Sequence, residues 1–271
     1  LAFINYELEF ISLQNLKNMF MKQVKFFLVA LMAVVMGVSV TSCMNGDDNS
    51  GPRTLSVIAK LDSYGSNFKM IDGTKLVPTD PTSIMLLNSG MYIVNGQYNV
   101  EDVNVNAASI TFTLTSTPTN IDGPSVTSTP DDADATMYAL NYENTYYPYF
   151  FDKNTLILPA MFHFKNSSVS TELEAELKKH KFILSYDAEK VAEGGETLDL
   201  YVNHIITEDK DETRTSYTVS YQAYDLSSVL HQFTNLKKII VHAQVNTSSN
   251  KLDNSSTREE KFEIDYSKIS Q

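Results

Sequence analysis

The side chains of this 271-residue sequence whose type and spacing bear on chemistry are one cysteine, five histidines and a dense run of tyrosines. Cys43 stands alone, so no internal disulfide can form and its thiol is open to modification. His163, His180, His204, His231 and His242 are scattered along the chain. None falls in an H-E-x-x-H helix, and no cysteine pair completes a zinc site, so no metal ligands are expected. His163, His204 and His242 each lie in or beside an alternating apolar run, and their expected role is structural. The chain has no G-x-S-x-G elbow, no phosphate-cradling P-loop and no dinucleotide-binding glycine pattern. Nucleophilic, phosphoryl and hydride chemistry lack their local signals, and the expectation is no catalytic residue, no cofactor and no enzyme. The densest feature is the stretch 138–151, with Tyr138, Tyr142, Tyr146, Tyr147, Tyr149, Phe150 and Phe151. Tyr142, Tyr146, Tyr147 and Tyr149 can form an aromatic interaction patch, or the same rings can fill an interface between domains. The acidic run Glu208, Asp209, Asp211 and Glu212 reads as a solvated hairpin tip, because calcium needs a tighter oxygen cage.

The N-terminal region decides the compartment. Residues 22–25 are basic and residues 26–38 are unbroken apolar or glycine. As a helix that apolar core spans roughly 20 Å, too short for a bilayer that needs about 20 residues, so it reads as a cleaved signal peptide. Val40-Thr41-Ser42-Cys43 resembles the lipobox of bacterial lipoproteins, which implies diacylglycerol on Cys43 and cleavage before it. Residues 1–42 are then precursor, with an over-extended start ahead of Met21. Residues 43–53 form a lipidated tether. Stable anchoring needs more than one acyl chain. The acidic stretch Met44-Asn45-Gly46-Asp47-Asp48-Asn49 resembles a surface-export signal, implying an outer-membrane lipoprotein displayed on the cell surface. The membrane is met through the lipid alone.

The full chain carries a net charge of −12, and removing everything before Cys43 takes away three lysines and two glutamates, making the balance more acidic. That excludes nucleic acid as a partner, since phosphate binding depends on Lys and Arg. Alternation over 54–61, 91–98 and 104–115, with short strands at 67–71 and from Thr74, places five strands in 54–120. This suits a small barrel. Residues 82–87 read equally as a helical turn or a strand. The Thr, Ser, Pro and Asp composition of 116–134 suggests a linker, bounded at 121–134. Strand patterns over 155–164, 181–187, 197–206, 215–223, 237–245 and 259–265 then suggest a β-sandwich over 135–271. Its single short helix, 170–180, would be capped by Ser170 or Thr171 and pack through Leu173 and Leu177, four apart.

The lipobox and tether, together with Phe68-Lys69-Met70-Ile71-Asp72-Gly73-Thr74-Lys75-Leu76-Val77-Pro78, Phe182-Ile183-Leu184-Ser185-Tyr186-Asp187 and Leu198-Asp199-Leu200-Tyr201-Val202-Asn203-His204, resemble the NigD-like family of lipoproteins. The resemblance implies an all-β chain with an N-terminal OB-like barrel and a C-terminal β-sandwich. It also implies an immunity role against a bacteriocin. Three lysines face five carboxylates in 54–120, so the barrel lacks the basic groove of a single-strand binder. The expected function is non-enzymatic binding of a protein or envelope component; the alternative is a glycan-binding accessory lipoprotein.

Overall fold

The computed structural model describes residues 51–62, 66–128, 132–192 and 195–269. The signal peptide, Cys43 and most of the tether lie outside the described residues. Strand β1 (Arg53–Leu61) buries Leu55, Val57, Ala59 and Leu61 and turns the residues between them outward. Strands β2 (Phe68–Lys69) and β3 (Lys75–Pro78) follow across a turn in which Gly73 has φ 85° and Asp72 Oδ1 accepts from Thr74 N at 2.9 Å. Strand β4 (Gly90–Tyr98) pairs with β1 along its whole length, from Arg53↔Tyr98 to Leu61↔Gly90. The 104–115 pattern divides into β5 (Val103–Asn104) and β6 (Ser109–Leu114), because the chain turns at Ala108, which has φ 44°.

Strand β6 runs parallel to β3 and antiparallel to β4, closing the ring β1-β2-β3-β6-β4. This is the strand order of an OB-type barrel. Residues 82–87 resolve as helical: a 3₁₀ turn over Pro81–Ile84, with Asp80 accepting from Thr82 N and Ile84 fully buried. Phe68, Leu76, Val94, Ile110 and Phe112 fill the rest of the core. Gly96 is required where β4 meets β6, since a Cβ there would sit 2.5 Å from the Phe112 ring.

The C-terminal strands are β8 (Met137–Ala139), β9 (Tyr149–Phe150), β10 (Thr155–Phe164), β11 (His180–Tyr186), β12 (Thr197–Ile206), β13 (Ser216–Asp225), β14 (Lys238–Val245) and β15 (Arg258–Asp265). They form two layers, β11-β12-β14-β15 and β8-β10-β13, around one core. The layers belong to one curled sheet, joined where β8 enters a fork between β12 and β14 through Ala135↔His204 and Met137↔Val245. Hydrophobic alternation alone does not distinguish this half-barrel from two separate sheets. Leu156, Leu158, Ala160 and Phe162 of β10 meet Phe182, Leu184, Leu200, Val241 and Val245 across the core. Each fully buried aliphatic contributes about 1.5–3 kcal/mol. Pro159 is tolerated in β10 because β8 pairs at residues 161–162 and β9 at 156–157, leaving a gap on that side of the ladder.

Residues 119–127 stitch the two parts together by backbone hydrogen bonds. Strand β7 (Thr119–Asn120) pairs with β4, and Ile121 N donates to Met91 O at 2.9 Å. Ala223 N then donates to Ile121 O and Gly123 N to Ala223 O, both at 2.8 Å. Further on, Thr127 N and Tyr186 N exchange bonds with Leu184 O and Thr127 O, each at 3.0 Å. The segment thus touches both open ends of the half-barrel, β13 and β11. Between barrel and sheet lies an apolar cluster of Met91, Ile121, Phe151, Ile157 and Ala223, flanked by Ile58, Ile93, Tyr149 and Tyr221. Lys60 bonds Asp152 at 2.8 Å beside it. Arg53 lies at the opposite end of β1 from these contacts.

Candidate functional site

The tyrosine-rich stretch does not form one patch. Strand β13 reads Ser-Tyr-Thr-Val-Ser-Tyr-Gln-Ala-Tyr-Asp, so the period of two puts Tyr217, Val219, Tyr221 and Ala223 on its outer face and Tyr224 in the core. The chain leaving β8 folds back over that outer face as a tight hairpin, with Tyr142 and Tyr146 paired and Glu143 and Asn144 at φ 54° and 53°. Two consecutive left-handed residues define a type I′ turn, a conformation that glycine normally supplies.

Tyr142 consequently meets Tyr138 edge-on at 5.7 Å, while Tyr138 stacks on Tyr217 at 4.2 Å and 22°. Tyr217 is 48% exposed. The proximity of the Tyr217 hydroxyl and then of the Glu143 carboxylate raises the Tyr142 hydroxyl to about 12. Tyr147 goes elsewhere and stacks on Phe262 at 5.4 Å. Tyr149 packs between barrel and sheet with Tyr221 close by, and burial pushes both hydroxyls up. Tyr146 is half-buried at the hairpin base. Of the four tyrosines singled out by sequence, only Tyr142 joins the exposed cluster. Tyr217 was missed, although the four-residue spacing of Tyr217 and Tyr221 in a strand already assigned them to one face.

The histidines divide as well. His163 is fully buried on β10 beside Tyr138, neither ring nitrogen has a hydrogen-bond partner among the described residues, and burial lowers its pKa. His242 bridges two carboxylates, with Nε2 2.8 Å from Asp199 and Nδ1 2.9 Å from Glu259, and stacks on Tyr201. His180 and His204 meet at 2.9 Å through Nδ1 and Nε2, and His204 Nδ1 lies 2.9 Å from Thr136 O. Because a carbonyl only accepts, His204 carries its proton on Nδ1 and His180 must donate to His204 Nε2. Burial holds His180 at about 4 and His204 at about 3, so both are neutral at pH 7.

The chain of polar groups continues to Glu176, whose Oε1 lies 3.4 Å from His180 Nε2 and accepts from Lys165 N and Arg214 Nε. Glu176 belongs to the helix α1 (Ser170–Lys178) and is that helix's buried residue, while Leu173 is only partly buried and Leu177 is 37% exposed. The expected apolar docking through Leu173 and Leu177 is therefore corrected to docking through a buried ion pair. The expected Ser170 or Thr171 cap also gives way to Val169, with the Ser167 hydroxyl accepting from Val169 N. Burial pushes the Glu176 carboxyl up, but Arg214 and the Lys165 N–H outweigh it and hold it at about 2. Arg214 is 1% exposed, and its Nη1 donates to Asp209 O and Glu212 O. Asn250 accepts from Arg214 N and donates to Glu212 O, drawing the acidic tip onto the end of the sheet. Among the described residues no group of three or more His, Cys, Asp or Glu could hold a metal ion.

An all-β protein of OB-like barrel and curled sheet, with an exposed aromatic cluster on the sheet, is the class these features define. No family model matches the chain. No curated protein matches it either. Among solved structures it is similar to a "putative lipoprotein" from Bacteroides fragilis, at 29% identity and a TM-score of 0.69, covering 79% of this chain and 98% of the other. A protein of unknown function from Bacteroides vulgatus is similar at 14% identity and TM-score 0.48, over 79% of this chain and 91% of that one. A NigD-like immunity protein from Bacteroides caccae is similar at 11% identity and TM-score 0.46, over 79% and 96%. The first likeness fits the lipoprotein class read from the lipobox.

Proposed function

We propose that this chain is a non-enzymatic outer-membrane lipoprotein, anchored through lipid on Cys43 and displayed at the cell surface, whose C-terminal domain binds a protein partner. The proposed division is a tether over 43–53, a barrel over 54–120, a connecting segment over 121–134 and a sheet domain over 135–271. The observation that supports binding is the exposed Tyr217 ring, backed by Tyr138 and flanked by Tyr142. Aromatic rings held rigid by their neighbours lose little entropy on association and are favoured interface anchors. The NigD-like resemblance makes a bacteriocin-class protein the specific partner type.

A photo-reactive amino acid placed at Tyr217 in living cells tests the reading. A discrete protein adduct, lost when Tyr142 is changed to Ala, is the expected result. Retention on polysaccharide gels with no protein adduct overturns it in favour of glycan binding. Display is tested apart from this: protease added to intact cells should remove the parent protein, and Cys43→Ala should abolish lipid labelling. Parent protein shielded on intact cells defeats surface display.

A further inference from the structure

Among the described residues, the long strands β11, β13 and β15 of the curled sheet each have one partner strand and one outer edge, and these edges are treated differently. The edge of β11 is covered in part by Thr127, which bonds Leu184 O and Tyr186 N. The edge of β15 is Arg-Glu-Glu-Lys-Phe-Glu-Ile-Asp, with six of eight residues charged, a composition that blocks pairing with another strand. Strand β13 has one charged residue in ten, Asp225 at its end, and is otherwise Ser, Thr, Val, Tyr, Gln and Ala. Its register with β10 is unbroken from Thr155↔Asp225 to Phe164↔Ser216. Ala223 points its N–H and C=O away from β10, to Ile121 and Gly123. The alternation of an antiparallel ladder therefore turns the backbone groups of Tyr217 and Val219 outward as well. Among the described residues these groups have no backbone partner. Tyr221 and Ala223 abut the barrel contacts, which leaves Ser216–Ser220 as an open, uncharged strand edge directly beside the exposed Tyr217 ring.

We propose that this edge receives an extended, cationic segment of the partner polypeptide, added as a further strand alongside β13. The inference rests on the protein-binding reading above and specifies its mode. Outward N–H and C=O groups two residues apart, about 7 Å along the strand, match another polypeptide backbone and not a sugar or a lipid. The charge of the partner follows from what surrounds the edge. Of the carboxylates before β13, Asp209 is paired with Lys179 and Glu212 with Lys165, which leaves Glu208 and Asp211; Asp225 ends the strand, and Glu143 sits on the hairpin over it. Arg214, the nearest cation in sequence, is buried and committed to Glu176. The exposed Tyr217 face is also a seat for Lys or Arg. A second copy of this chain, itself at −12, would meet like charge.

The test uses the intact lipoprotein in detergent and a fluorescein-labelled ten-residue peptide alternating Lys with Val or Thr, followed by fluorescence anisotropy. Two peptide controls carry Glu in place of Lys, or N-methyl groups on alternate residues. Val219→Pro removes an outward N–H that the β10 ladder does not use, and Val219→Ala keeps it. The lysine peptide should bind the parent and Val219→Ala alike, and at least tenfold more weakly to Val219→Pro. The N-methylated and glutamate peptides should bind the parent at least tenfold more weakly than the lysine peptide. Equal binding of the N-methylated peptide, undiminished binding by a folded Val219→Pro, or no binding of the lysine peptide by the parent overturns the proposal. Where the cellular adduct at Tyr217 survives Val219→Pro but not Tyr142→Ala, the protein-binding reading stands and strand addition alone is lost.

Discussion

Replacing Arg214 by Met should cost this protein more stability than any single change at its surface. The substitution keeps the length of the apolar stem and removes a guanidinium that is 1% exposed and bonded to a carboxylate 5% exposed. Glu176 is then left charged and buried, with Lys165 N and a Lys179 ammonium at 3.6 Å as its remaining donors. Removing one member of a buried pair costs roughly 3–5 kcal/mol. For a chain of this size that lowers Tm by about 6–20 °C. The pH dependence carries the diagnosis. In the parent, the Glu176 carboxyl is held at about 2 against an ordinary 4.5, so it contributes stability that is fully present above pH 4.5 and lost as pH falls toward 2. Without Arg214, burial is free to raise that carboxyl, which takes up a proton at higher pH, and the gap between variant and parent narrows as pH falls from 7.5 to 5. Urea unfolding at both pH values measures this. Glu176→Gln combined with Arg214→Met should recover part of the loss, giving a coupling of about 1–3 kcal/mol. A loss under about 1 kcal/mol, or a gap that widens toward pH 5, would refute the buried-charge reasoning.

Other perturbations should be as specific. Burial holds His180 at about 4 and His204 at about 3, both below the ordinary 6.5, so stability is complete above pH 6.5 and declines as pH falls through that value toward 4; urea midpoints should drop over this window, and His204→Gln should flatten the decline. Gly123→Ala should destabilise by about 1–3 kcal/mol in thermal melts, because the new Cβ would lie 2.7 Å from a Tyr224 ring that is fully buried and bonded to Phe182 O. Lys60→Met should cost under about 1 kcal/mol, as expected of a half-exposed ion pair, whereas Ile93→Asp in the same interface should loosen barrel from sheet and expose 116–128 to protease.

Local features of the fold were largely readable from the chain, and ladder order was not. The alternation of Leu55, Val57, Ala59 and Leu61 announced β1, and 155–164 read as a strand, although its burial on both faces emerged only in the structure. Nothing in 104–115 distinguished one strand from two, because the turn at Ala108 uses a left-handed residue without glycine. The parallel step from β3 to β6 and the fork at β8 join residues far apart in sequence, where periodicity carries no information. The polar composition of 116–134 suggested a linker, yet its order comes from backbone donors and acceptors that every residue but proline carries. Helix α1 was placed correctly and its buried side was not: a glutamate reads as solvated until its arginine, 38 residues away, is brought to it. The aromatic cluster was half legible, since Tyr142 lay in the conspicuous run and Tyr217 lay in another strand, 75 residues away.

The placement of Arg53 at the far end of β1 has a mechanical meaning. The tether enters the barrel at that pole, while the sheet domain grips it at the other, through Met91, Ile93 and the Lys60–Asp152 pair. A pull on the outer domain against a lipid held in a membrane draws β1 toward one pole and β4 toward the other. The β1–β4 ladder is then loaded in shear along its whole register, from Arg53↔Tyr98 to Leu61↔Gly90, so its hydrogen bonds share the force instead of opening one at a time. In the proposed lipoprotein the small barrel would then act as a stiff stalk of about 30 Å that resists tension along its length.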